Sequence, residues 1–196
     1  MAPFVDRFQE TVDAARNILQ GDNDCSRFFG GVGITALIEI EDFVKKAGSS
    51  AYATFPGDNR TGIEMTIPTQ VNRIDLPLLA GLFDYFAMAP SNVRINNQGA
   101  FVMAAGNNLP RFGNYNAGSL RSRVLQLLHE VGHLVMVRAD KTIRFVRNGN
   151  QTRWYEQWKL TPLLPLDGGA GQESLSEDNT ARVLRACRSE IDRIPE

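Results

Sequence analysis

The chain has only two histidines, four residues apart with a glutamate beside the first: His129-Glu130-Val131-Gly132-His133. On a helix, residues at i and i+4 share a face, with Cβ atoms about 5–6 Å apart. Two imidazoles so placed can reach one Zn²⁺ at about 2.0–2.1 Å each. Glu130 is turned by about 100° from His129 around an ideal helix axis, so it can approach the same centre from the side without ligating it. From there its carboxylate can take a proton from zinc-bound water, whose pKa the metal lowers to about 7, and hand it to a departing amine. A chance HExxH in a chain of this length arises on the order of once in a hundred sequences. The plainer reading is two core or surface histidines that happen to share a face. Burying two imidazoles and a carboxylate beside Leu127-Leu128 and Leu134-Val135 without a metal or strong hydrogen bonds would be costly.

The motif needs a helix to carry it. Leu120, Val124, Leu127, Leu128, Val131, Leu134 and Val135 form a broad apolar band that predicts a mostly buried helix from Ser119 to Val137. Phe4, Phe8, Val12, Ala15 and Leu19 predict a first helix, with Gly21 ending it in a left-handed cap. Asp22-Asn23-Asp24 then reads as a turn. Gly30-Gly31-Val32-Gly33 superficially suggests a nucleotide loop, but Ser26-Arg27-Phe28-Phe29 is too short and mixed for the strand such a loop follows. A loop before a helix over Ile34–Lys46 is expected instead, with Leu37, Ile38, Phe43 and Val44 available for the core and Gly48 as its stop.

The middle of the chain changes character. Tyr52–Phe55, Pro56-Gly57-Asp58-Asn59 and Ile63–Ile67 read as strand, turn, strand. Leu76–Met88 is apolar and reads as a short helix, with Pro77 and Gly81 against it. Val93-Arg94-Ile95, the Asn96–Gly99 turn and Ala100–Ala104 read as a second hairpin. Asn148-Gly149, between Ile143–Val146 and Trp154-Tyr155, favours a type I′ hairpin. After a Pro/Gly-rich loop over Pro162–Gly171, a last helix should begin near Ser174, with Ser174-x-x-Glu177 as a capping box, and run to about Ile191. With no internal repeat, low-complexity tract or clear linker, residues 1–196 read as a single α+β domain.

Composition sets outer limits. The 21 Lys+Arg against 22 Asp+Glu leave a net charge of −1 without a basic block, which argues against a dedicated nucleic-acid binder. No apolar run approaches the roughly 20 residues of a membrane span. Two cysteines and two histidines cannot build a four-ligand finger or a multi-disulfide scaffold. Met1–Asp6 lacks the basic and apolar regions of a signal peptide, which fits a cytoplasmic protein or a mature secreted one.

On the His129-Glu130-x-x-His133 helix the chain resembles the zincin metallopeptidases. The further pattern Asp167-Gly168-Gly169 and Asn179-Thr180-x-x-Val183-x-x-x-Cys187 looks like small uncharacterised secreted bacterial zincin-like proteins. The resemblance covers the motif helix strongly and the strand-rich segment before it loosely. It implies a zincin-like α+β fold: a twisted mixed sheet packed against the central motif helix, with N-terminal helices and a C-terminal helix. It also implies an edge strand that pairs with an extended peptide or protein substrate, and a third zinc ligand from the second half of the domain. The metzincin extension is absent, because Leu134-Val135-Met136-Val137-Arg138 follows His133 and no third histidine exists.

A catalytic zinc normally takes three protein ligands. The third must then be a carboxylate, a tyrosine or Cys187. Asp140, seven residues past His133, lies too far along the helix axis. Asp167 sits in a loop whose glycines let the backbone fold tightly around a site, and it resembles the aspzincin arrangement without that family's Gly-Thr-x-x-Asp context. Gln172-Glu173-Ser174-Leu175-Ser176-Glu177 loosely resembles the gluzincin Asn-Glu-x-x-Ser-Asp helix, departing at its first and last residues. Asp167 is the favoured ligand and Glu173 its rival, and either could equally be an exposed loop carboxylate.

Tyr155, Arg144, Arg147 and Arg153 could stabilise developing charge opposite the zinc, though a solvated hairpin face accounts for them as well. Trp154 and Trp158 read as core or hairpin packing, and Asn96–Asn108 as a candidate cleft wall. Cys25 and Cys187 could be two buried free thiols or a staple; the resemblance to secreted proteins implies a disulfide. The expected function is a zinc metallopeptidase, secreted or periplasmic, with Glu130 as general base and His129, His133 and Asp167 as zinc ligands. The alternative is a zincin-fold metal-binding or interaction protein without proteolysis.

Overall fold

The computed structural model describes residues 2–55, 62–68, 73–77, 84–103, 111–148, 151–167 and 171–195. Helix α1 covers Ala2–Gln20, and its Phe8, Val12, Ala15 and Leu19 are buried as one stripe, as the spacing predicts. Gly21 is not left-handed. It is small because Asn23 folds back over it: a Cβ there would lie 2.6 Å from Asn23 Nδ2. Asn23 donates to the Ile18 carbonyl and caps the short helix α2 (Asp24–Phe28) in a reciprocal capping box with Ser26. The glycine run is a loop, and α3 (Gly33–Ala47) follows it and stops at Gly48 with φ 58°. Ala36, Leu37, Ile40 and Val44 form the buried face of α3. Ile38 is 41 % exposed, because it stands about 100° around the helix from Leu37 and off that stripe.

The class is α+β, but the strands build two sheets where one was expected. In the first, β5 (Asn92–Asn96) lies between β1 (Tyr52–Ala53), to which it is parallel, and β2 (Ile63–Thr66), to which it is antiparallel. Neither predicted local hairpin forms here. Alternation marks a strand but not its partner, and β5 inserts between the two strands expected to pair. After β5 the chain turns instead of returning as a strand, with the Val102 and Met103 amides both bonded to the Gly99 carbonyl. The second sheet is antiparallel in the order β3 (Arg73–Pro77), β7 (Gln151–Pro162), β6 (Val135–Asn148), β4 (Tyr85–Ala87). Of Leu76–Met88, expected as a short helix, Leu76 and Pro77 end β3 and Tyr85–Ala87 form β4, while 78–83 lie outside the described residues. Pro77 is tolerated because β3 is an edge strand, where a missing N–H breaks no inner ladder. β6 and β7 are the expected hairpin, paired up to Asn148↔Gln151; Gly149 and Asn150 lie outside the described residues.

Helix α4 (Leu120–Leu134) is the centre of the molecule, with α1, α3, β2 and α5 (Glu173–Ile191) packed around it. Ser119 caps it, accepting from the Ser122 amide. The helix ends three residues before the predicted Val137, because Val135, Met136 and Val137 pair with β4, where β-branched residues are favoured. The predicted capping box at Ser174 is absent: α5 already begins at Glu173, which puts Ser174 inside the first turn, and Gln172 makes no side-chain cap bond. Cys25 on α2 and Cys187 on α5 form a disulfide across 162 residues. Among the described residues, no helix is long and apolar enough to cross a membrane.

Candidate metal centre

The site forms where the chain after β7 crosses α4 at Gly132. A Cβ at Gly132 would lie 2.3 Å from Leu164 Cδ1 and 2.6 Å from its Cγ, so only glycine lets the segment approach this closely. The Leu164 amide donates to the Gly132 carbonyl at 3.1 Å and fixes the crossing. Gly132→Ala should therefore cost about 1–3 kcal/mol of stability through overpacking, measurable by denaturant melts.

That crossing delivers two groups to the histidines. The Leu164 carbonyl accepts from His133 Nδ1 at 3.0 Å. Three residues on, Asp167 places Oδ2 3.0 Å from His129 Nε2 and Oδ1 3.2 Å from His133 Nε2. The second approach is off hydrogen-bond geometry and leaves His133 Nε2 buried and without a hydrogen-bond partner. From α5, Thr180 Oγ1 meets His129 Nδ1 at 3.0 Å. Asn179 donates to both Asp167 Oδ2 and the Pro165 carbonyl at 2.8 Å. Each ring is thus held at Nδ1 and presents Nε2 to the same carboxylate. The ring centroids are 4.9 Å apart, and ligand atoms of His129, Glu130 and His133 lie within 4.8 Å of one another.

The donor set suits a cation. A carbonyl only accepts, so His133 carries its proton on Nδ1 and, when neutral, offers a lone pair at Nε2. That lone pair faces an acceptor-only carboxylate, an arrangement that is favourable only with a proton or a metal ion between them. Two imidazoles and one carboxylate match the three-ligand set of catalytic zinc. Electrostatics agree. Burial works against a charged His133, yet Asp167, Glu130 and the Leu164 carbonyl outweigh it and raise its pKa. Burial likewise opposes ionisation of Asp167, but the adjacent His129 and His133 rings and a hydrogen bond from Asn179 hold its carboxyl well below the usual range.

Glu130 differs from its neighbours. Every other residue from Ser122 to Leu134 is buried, whereas Glu130 is partly open. Desolvation nonetheless pushes its carboxyl pKa up, against the pull of His133 and His129, with Asp167 and Glu64 of β2 adding to the rise. A carboxyl that is reachable, raised and beside two imidazoles is placed for proton transfer. β2, the strand that carries Glu64, is an edge of its sheet.

The structure brings together His129, Glu130, His133 and Asp167. It does not bring in the rivals: Glu173 is exposed on the first turn of α5, and Cys187 is consumed by the disulfide. Asp140 lies in β6, not at a helix end, beyond a register shift after Arg138. The side chains of Asp140, Arg144, Arg147, Arg153, Trp154, Tyr155 and Trp158 lie outside the described residues. Of the expected cleft wall, Asn96 is buried at the end of β5, 97–103 form turns, and 104–108 lie outside the described residues.

Sequence reasoning gave no role to Asn179 and Thr180 as orienting groups. The available signal was Asn179 itself, a polar residue on the buried stripe Asn179, Val183, Cys187, Ile191 of an amphipathic helix. Asn179→Ala should weaken metal binding by about 10–100-fold, as loss of a hydrogen bond to a ligand does; a chelator-competition titration measures it. Compared with protein-family models, curated proteins and solved structures, the chain matches none.

Proposed function

We propose that the protein is a zinc-dependent peptidase of zincin type, in which His129, His133 and Asp167 hold the ion and Glu130 is the general base. The observation that carries this reading is the shared Asp167 carboxylate between two Nδ1-anchored histidines, with Glu130 as the one partly open residue of that helix segment. Bound zinc would supply Lewis acidity and make a nearby water easier to deprotonate. Glu130 accepts that water's proton and returns it to the amine that leaves as the peptide bond breaks. Its raised pKa suits both directions of transfer, since a carboxylate of ordinary acidity would be a poor donor to the amine. An extended peptide adding to the side of β2 that no described strand covers would run near Glu130, with main-chain hydrogen bonds aligning it. The disulfide supports a secreted or periplasmic setting, where such bonds persist.

The test is hydrolysis of a diverse peptide library by zinc-loaded protein, analysed by mass spectrometry. Cleavage that a chelator abolishes and zinc restores is the expected result. Stoichiometric zinc with no cleavage of any peptide would favour a metal-binding protein without proteolytic activity.

A further inference from the structure

The ligand helix is enclosed in a ring of elements that closes back on it. Arg123 of α4 is buried and donates to Thr11 and Glu10 of α1. The end of α1 is tied to α2 by Asn23 on the Ile18 carbonyl and by Ser26 Oγ on the Gly21 carbonyl. α2 is tied to α5 by Cys25–Cys187. α5 returns to the starting helix through Thr180 on His129, and through Asn179 on Asp167, which faces both histidines. Cys187 and Asn179 lie on one buried ridge of α5, eight residues and about 12 Å of stiff helix apart. A displacement of α5 at the disulfide is therefore transmitted to the groups that orient the site.

We infer that Cys25–Cys187 is a positioning element of the metal centre: it raises zinc affinity by holding α5 in the register that places Asn179 and Thr180. The inference rests on the zinc reading of the site. Linkage makes it reciprocal, because zinc must protect the disulfide by the same factor that the disulfide strengthens zinc binding. Packing of α5 alone would hold the helix on the core, but with its axial position and rotation less narrowly set.

The experiment is a double-mutant cycle in zinc affinity, read by competition with a chromophoric chelator. It compares wild type, Cys25→Ala/Cys187→Ala, Asn179→Ala and the combined variant. Loss of the disulfide should weaken zinc binding about tenfold in the wild-type background, the lower end of effects on groups that orient ligands. In the Asn179→Ala background it should weaken binding by less than about twofold, because part of the route is already cut. A staple that only adds global stability would lower the melting temperature without this coupling. Unchanged affinity in the cysteine variant, or the same loss in both backgrounds, overturns the inference.

If the cysteine variant does not fold, the intact protein still decides. Glutathione reduces the disulfide to two thiols and becomes glutathione disulfide, its two thiol protons ending on the protein sulfurs. At equilibrium in a glutathione buffer, saturating zinc should shift the protein about tenfold toward its disulfide form in wild type and much less in Asn179→Ala. A zinc-independent equilibrium overturns the inference. Failure of the wild-type chain to hold zinc at all would instead overturn the reading of the site.

Discussion

Glu130→Gln is expected to lower peptide hydrolysis by about 10²–10⁴-fold while leaving zinc binding in place. Glutamine keeps the size of the side chain and its partly open position, and removes only the ability to take and return a proton. The three residues proposed as ligands do not depend on it. His129 and His133 are anchored at Nδ1 by Thr180 and the Leu164 carbonyl, and Asp167 is held by Asn179. Removing the Glu130 carboxylate also relieves the cost of burying its charge, which its raised pKa reveals. The variant should therefore be at least as stable as the parent. The check pairs a hydrolysis assay with metal analysis on the same preparation. Activity within about threefold of the parent would exclude Glu130 as the base.

Removing the disulfide should produce the largest loss of stability. The bond joins residues 162 apart, so it restricts most of the unfolded chain, and the simple loop model gives about 5 kcal/mol. Measured losses for native disulfides run about 2–5 kcal/mol. Both sulfurs come from residues with no exposed surface, so Cys25→Ala/Cys187→Ala also leaves a small buried void. At roughly 2–4 °C per kcal/mol for a chain of this size, the melting temperature should fall by about 4–20 °C, read by calorimetry. A shift of under about 2 °C would show that the core holds α2 and α5 together unaided.

The parts of this fold that were legible in the sequence are local. Apolar periodicity located α1, α3 and α4, because a helix buries residues of one short segment; α5 was read from Ser174-x-x-Glu177, and the helix is there although that capping box is not. The β6–β7 hairpin was legible because Asn148-Gly149 signals a turn there, although Asn148 itself pairs with Gln151 as the last residue of β6. Partnership between distant strands was not: the alternation of Val93 and Ile95 shows a strand, but nothing local says that β5 will separate β1 from β2. The two described ends of Leu76–Met88 are strands for a related reason, since a short apolar run suits a helix or a strand until its neighbours are known. At the site, the histidine spacing and the candidacy of Asp167 could be read directly, while 168–170 lie outside the described residues. The contacts of Asn179, Thr180 and the Leu164 carbonyl with the site could not, because they exist only once α5 and the segment after β7 are packed on α4.

The reading of His129, His133 and Asp167 as one zinc site stands or falls on zinc binding by Asp167→Ala against the parent chain. Equilibrium dialysis with elemental analysis should find about one zinc per parent chain. In the variant, affinity should fall by more than the 10–100-fold expected for a residue that only orients a ligand. A parent chain that retains no zinc, or a variant that binds it as tightly as the parent, would contradict the claim.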